Sequence, residues 1–267
     1  MTQHKCLDAC RYGTCWRTCD PPVATLLTPA TNCRFSKCAA ACGTGRDWRC
    51  VGNVTYPDPV PGKVPRRFIP YDSVQASAVA GVTLKACWFT DIPCTAPLDT
   101  TVTTADGGVL QLPDGFTGIV RATAPGYPPH LQIRADPIVG SSAAVWEINM
   151  VPKQPLVALL DSVNMPWSEN LGFIYAYVVD CSGEFSPGVQ FELAPKGSAS
   201  SFYIVGQLPS LDASATGKIA LGGFARVQPG LPTLTAKLVA DGRMVGKMVV
   251  PVQAGTVTLV SPISPTP

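Results

Sequence analysis

VAGVTLKACWF at 79–89 and TVTTADGGVLQLPDGFTGIVRATAPGY at 101–127 decide how this chain folds. Apolar and polar residues alternate along both, and the alternation breaks only at Asp106-Gly107-Gly108, Pro113-Asp114-Gly115 and Pro125-Gly126. Period-two alternation places every second side chain on one face of a strand, and Gly, Pro and Asp at the breaks supply turn geometry. The stretch therefore predicts strands at Val79–Phe89, Thr100–Thr104, Val109–Leu112 and Thr117–Ala124, with further ones at Leu131–Arg134 and Ala144–Met150. In the last of these Val145, Trp146, Ile148 and Met150 are apolar on both faces, as suits a strand buried between sheets.

Downstream, Leu156, Leu159, Leu160 and Val163 recur at i, i+3, i+4 and i+7, predicting one helix that lies as a lid on a sheet. Strands are expected after it at Phe173–Asp180, Val189–Leu193, Ser201–Val205, Lys218–Leu221, Ala225–Val227, Thr233–Ala240, Val245–Val252 and Thr256–Val260. Turns separate them at Ser182-Gly183, Thr216-Gly217 and Asp241-Gly242. AGVTLKAC at 80–87 resembles PGVQFELA at 187–194, and residues 104–127 resemble 214–242, so the two halves read as an internal duplication.

The N-terminal segment is different. Eight of the eleven cysteines fall at Cys6, Cys10, Cys15, Cys19, Cys33, Cys38, Cys42 and Cys50. A C-x4-C-x3-C spacing occurs twice, and each C-x3-C pair would share one helix face. The spacing predicts a small duplicated helical module stapled by disulfides, with the connectivity left open. Four thiolates at Cys6, Cys10, Cys15 and Cys19 would also suffice for a metal or iron-sulfur site. Their spacing lacks the longer loop that separates the ligand pairs of structural zinc sites, and no metal or other cofactor is expected. Haem attachment needs C-x-x-C-H, which neither His4 nor His130 completes.

VGNVTYPDPVPGKVP at 51–65 then reads as extended linker or edge strand. The expected domains are a cysteine-rich module at 1–54 and two antiparallel β-sandwiches at 55–152 and 153–267. Cys87 and Cys94 bracket a loop and are expected to bond. Cys181 is then left over, and is expected to lie buried as a small hydrophobe.

Twenty-seven prolines and 24 glycines against 14% charged residues suit a chain of many turns. A formal net charge of +2 points to neither nucleic acid nor an anionic membrane surface, and no apolar run reaches the length of a membrane span. The first residues carry no signal-peptide pattern, whereas the cysteine density suits an oxidising compartment. The expectation is therefore an extracellular or cell-surface protein whose leader lies outside this sequence.

GVTLKAC (81–87), then T-x-A-D-G-G (103–108), an apolar strand, and A-P-G-Y (124–127) resemble the carboxypeptidase regulatory-like family, a transthyretin-like seven-stranded sandwich. The resemblance covers about residues 60–152, and 173–260 more loosely. It implies an accessory or scaffold domain of bacterial surface or secreted proteins, with no catalytic residues to carry over.

The residues agree with a non-catalytic reading. HExxH and G-x-S-x-G are absent, the two histidines are isolated, and Asp106, Asp114, Asp180 and Asp241 sit beside glycine or at strand ends, where a turn role explains them. His130, in a proline-rich turn, is expected at an edge or exposed. Trp88, Phe89, Tyr127, Trp167 and Tyr203 are the aromatics able to stack on a sugar, with Trp88 and Tyr127 the binding candidates. The expected function is structural or binding, with a protein or polysaccharide partner at the cell surface. The alternatives are a carbohydrate-binding accessory module and a self-assembling surface component. The mean hydropathy of +0.20 and the many strand edges favour the latter.

Overall fold

The structure, a computed structural model, describes residues 46–140, 145–206 and 208–263. The chain divides into two compact units, Met1–Asp47 and Trp48–Pro267. The helical module expected around Cys6, Cys10, Cys15, Cys19, Cys33, Cys38 and Cys42 lies outside the described residues. All elements below belong to the second unit.

That unit is mainly β. Its first half holds β1 (Lys63–Asp72), β2 (Ser77–Ala78), β3 (Thr83–Trp88), β4 (Asp99–Val102), β5 (Gly108–Pro113), β6 (Gly118–Thr123), β7 (His130–Ile133) and β8 (Val145–Met150). The helix α1 (Lys153–Ser162) follows. The second half holds β9 (Gly172–Val178), β10 (Val189–Ala194), β11 (Ser200–Val205), β12 (Leu208–Ser210), β13 (Leu221–Val227), β14 (Thr233–Leu238), β15 (Met244–Val249) and β16 (Val257–Ile263).

Nine strands form one central sheet in the order β12-β11-β13-β9-β16-β7-β6-β3-β4. A smaller sheet of β2, β1, β5 and β8 and another of β10-β14-β15 complete the fold. Strand registers sort the central sheet's side chains by face. Ile119 pairs with Ile133, Ile133 with Val260 and Val260 with Ala176, so these four share a face. They join one core with Phe191, Leu193, Leu234 and Ala236 of the β10-β14-β15 sheet. On the opposite face Leu84, Val120 and Ala122 pack with Phe68, Leu110, Leu112 and Ile148. Also on that face, Phe173, Phe202 and Leu221 pack under Leu156 and Leu160 of α1. Burying each of those leucines is worth about 1.5–3 kcal/mol and fixes the helix as the lid. Pro155 falls in its first turn, where a missing N–H breaks no helical bond.

The two halves share a topology. In the first, β3, β6 and β7 run side by side, and β5-β1-β8 form the facing sheet with β8 parallel to β1. In the second, β10, β14 and β15 repeat the first arrangement. β13-β9-β16 repeat the second, again with the last strand parallel to the first.

A buried threonine marks the correspondence. Thr103 Oγ1 accepts the Val82 amide (3.1 Å) and donates to the Val79 carbonyl (3.1 Å), while its backbone bonds to Val82 and Gly81. Thr216 Oγ1 accepts the Val189 amide (3.0 Å) and donates to the Ser186 carbonyl (2.9 Å), with the same backbone bonds to Val189 and Gly188. Gly81 and Gly188 both adopt φ of 76°, a left-handed turn that favours glycine. Asp72 and Asp180 correspond too: Asp72 ends β1, Asp180 follows the end of β9 by two residues, and each accepts amides from the turn that follows.

The halves part at one edge strand. β4 pairs with β3, whereas its counterpart β11 pairs with β13 on the other sheet. The amide of Phe191, on the edge of β10 that this leaves open, donates instead to the Tyr203 hydroxyl at 2.7 Å. The halves meet where β16 runs parallel to both β7 and β9, so the ladder crosses residue 152 without a break.

The observed strands depart from expectation at several points, among them the unexpected β2 and β12. β1 begins in the stretch read as linker or edge strand and runs on through residues 66–72, where no strand was expected: its inward positions are Arg66, Phe68, Pro70 and Asp72, so the apolar alternation is masked. Val79–Phe89 is not continuous, because Gly81 turns the chain before β3. Lys218–Ala220 is a turn closed by the Ala220 amide on Gly217, and Leu221 already belongs to β13. Finally, β1–β8, β7–β16 and β9–β16 are parallel, a consequence of the long crossovers that connect them.

Candidate functional site

A polar convergence lies where the halves join, around Ala124–His130. The Tyr127 hydroxyl donates to Asp72 Oδ2 at 2.5 Å. Asp72 Oδ1 accepts the Val74 and Gln75 amides, both at 2.8 Å. Burial alone would raise the Asp72 carboxyl, but the bonds from Tyr127, Gln75 and Val74 together hold it below the usual range. Burial and the Asp72 bond push the Tyr127 phenol up to about 12.

His130, expected at an edge or exposed, is fully buried. Its Nδ1 meets the Pro128 carbonyl at 2.7 Å, and its Nε2 accepts the Val151 amide at 3.2 Å, which assigns the proton to Nδ1. Burial depresses its pKa to about 4, against the opposing Pro128 bond, so the ring is neutral near pH 7. The Gly126 carbonyl accepts the Lys153 amide at the start of α1, and the Pro129 carbonyl accepts the Val257 amide at the start of β16. One short segment thus ties β1, α1 and β16 together. These contacts hold geometry, and none presents a free nucleophile or an open acid–base pair.

Trp88 and Tyr127 are not brought together. Trp88 pairs with Gly118 at one end of the β3–β6 ladder, while Tyr127 lies past Thr123 at the other. Five residues of strand separate the two ends, roughly 17 Å. The Trp88 side remains accessible, with 42% of the residue exposed and its ring tilted against Phe116 at 5.5 Å. Tyr127 packs against the core of Phe68, Leu84 and Val120. Of the other aromatics, Tyr203 is buried, while Phe89 and Trp167 are partly buried against the cores.

Cys87 and Cys94 are bonded, with Cα atoms 5.5 Å apart. Cys181 is not left over. It is bonded to Cys50, Cα to Cα 5.8 Å, so Cys50 is withdrawn from the N-terminal set in which it was expected to pair. The reason is spatial: Trp48 is buried in the same core as Val178, which brings its neighbour Cys50 to the turn after β9.

Among the described residues no group of three or more His, Cys, Asp or Glu side chains is placed to hold a metal ion. Two clefts, one beneath α1 by Met165 and Phe173 and one between Phe116 and Trp146, each enclose about 10 Å³, room for a single water. No described helix is long and apolar enough to cross a membrane.

The architecture defines a tandem β-sandwich protein. No family model matches the chain, and no curated protein matches it. Among solved structures it is similar to the Bacillus anthracis TIE protein, at 13% identity over 76% of this chain and a TM-score of 0.23. The chain spans 33% of that protein. It is also similar to the shaft pilin SpaA from Lactobacillus rhamnosus GG (12% identity, 78% of this chain and 100% of that one, TM-score 0.24). A streptococcal ancillary pilin is similar at 10% identity, over 74% of this chain and 69% of that one, with a TM-score of 0.20. Likenesses of this size transfer no function.

Proposed function

We propose that this chain is a non-catalytic structural protein of the extracellular space or cell surface, a stiff building block that associates with other proteins there. One observation carries the reading: the two sandwiches are welded rather than hinged. The strand β16 is hydrogen-bonded into both halves, and the Ala124–His130 segment clamps the same joint. A continuous ladder resists bending, because tilting one half against the other would break several backbone bonds at once. The Cys50–Cys181 and Cys87–Cys94 bonds favour an oxidising compartment. The separation of Trp88 from Tyr127 argues against one sugar platform built from both, so association with protein is preferred to polysaccharide binding. The carboxypeptidase regulatory-like resemblance stays part of this reading, since each half has seven principal strands in two sheets.

The test is made on cells that carry the protein. A membrane-impermeant label reads surface exposure, and alkylation without reductant followed by peptide mapping reads the four cysteines above. Surface labelling together with unalkylated Cys50, Cys87, Cys94 and Cys181 is the expected result. An intracellular protein with those four thiols free would overturn the reading.

A further inference from the structure

The joint between the halves uses two strand edges, and each has an unused counterpart elsewhere in the chain. The joint pairs β7 of the first half with β16 of the second. The counterpart of β7 is β15, and that of β16 is β8. Among the described residues, β15 pairs with β14 alone and β8 with β1 alone.

The correspondence holds residue by residue. The threonine clamps align Val82 with Val189, hence Cys87 with Ala194, and through their cross-strand partners Ile119 with Thr233 and Ile133 with Val249. The same clamps align Val79 with Ser186, whose amides donate to Pro70 and Val178, and so place Arg67 against Tyr175 and Val145 against Leu259. On the joined strands Ile133 and Leu259 are buried, 1% and 2% exposed, with Ile133 in the core that the β10-β14-β15 sheet covers. Their counterparts Val249 and Val145 are apolar as well, yet 47% and 45% exposed. Each free edge therefore carries an apolar side chain at the position that is buried on the joined strands.

We infer that a second copy of this chain docks its β8 along β15 of the first in a parallel ladder repeating the β7–β16 joint, with Val249 opposite Trp146 and Met248 opposite Val145. Unpaired edges with exposed apolar residues are templates for strand addition. The two edges of one copy cannot close on each other, because β15 and β8 belong to sheets on opposite faces of the central sheet. The contact is thus head-to-tail and leaves a free edge at each end, so it propagates into a linear array.

The inference rests on the structural reading above and adds its partner and interface. The test uses the full chain, oxidised, with Val145→Lys and Val249→Lys, both at exposed positions and checked by an unchanged thermal midpoint. Light scattering across a concentration series should show the unsubstituted chain rising from 28.1 kDa past twice that mass. Each variant alone should fall back to monomer. An equimolar mixture should stop at a twofold mass, because V145K keeps only its β15 edge and V249K only its β8 edge. An unsubstituted chain that stays monomeric, association that neither variant reduces, or a mixture that grows past a dimer or stays monomeric would each overturn the inference. A surface-exposed, oxidised monomer would remove this interface while leaving the structural role standing. Free thiols inside the cell would remove that role whatever the mass.

Discussion

Cys50 and Cys181 are bonded across 131 positions of sequence, joining the segment that enters the body at Trp48 to the turn that follows β9. A cross-link closing so long a loop removes much of the unfolded chain's freedom, worth roughly 3–5 kcal/mol. The Cys50→Ser/Cys181→Ser double variant is expected to lose about that much in urea unfolding, with a raised m-value because the unlinked unfolded chain exposes more surface. Peptide mapping without reductant should recover the Cys50–Cys181 pair in the parent chain.

The Thr103 and Thr216 clamps predict symmetric losses. Thr103→Val and Thr216→Val each leave a buried amide and a buried carbonyl without the hydroxyl, at a cost of about 1–3 kcal/mol apiece. The two sites lie in separate cores, so the double variant should lose close to the sum of the single losses. Chemical denaturation of the four proteins checks both points.

Tyr203 is the hydroxyl that stands in for a missing strand. Tyr203→Phe keeps the ring stacked on Phe191 but strands the Phe191 amide, and should cost about 1–3 kcal/mol. Hydrogen exchange at Phe191 should quicken more than at its neighbours on β10.

His130 confers a pH dependence whose sign follows from its burial. Its folded pKa of about 4 lies below the unfolded value of about 6.5. The unfolded chain therefore binds the extra proton between those values, and stability is full above pH 6.5 and lost as pH falls through 4. The loss is about 3 kcal/mol. Urea midpoints measured from pH 7 to pH 4 should fall more steeply for the parent chain than for His130→Gln, which carries no titrating ring.

Much of the local structure was legible. β5, β10 and β14 alternate cleanly between turn residues, and α1 carries Leu156, Leu159 and Leu160 at helical spacing with Val163 at its C-cap, because a single buried face dictates both patterns. β1 was hidden because Arg66 and Asp72 occupy inward positions and Pro65 and Pro70 interrupt the strand. The halves resemble each other at Gly81-Val82 and Gly188-Val189, but the threonines that bind those segments lie 21 and 27 positions further on.

By itself, then, the sequence determined the strand class, the helix, the duplication and the short Cys87–Cys94 staple. Each rests on residues near one another in the chain. Only the tertiary structure decided that β16 is inserted between β7 and β9, that Cys50 pairs with Cys181, that His130 is buried and that Val145 and Val249 are exposed. These depend on which distant segments lie side by side. Cross-strand partners leave no periodic mark in the chain, since a strand alternates in the same way whichever neighbour it finds.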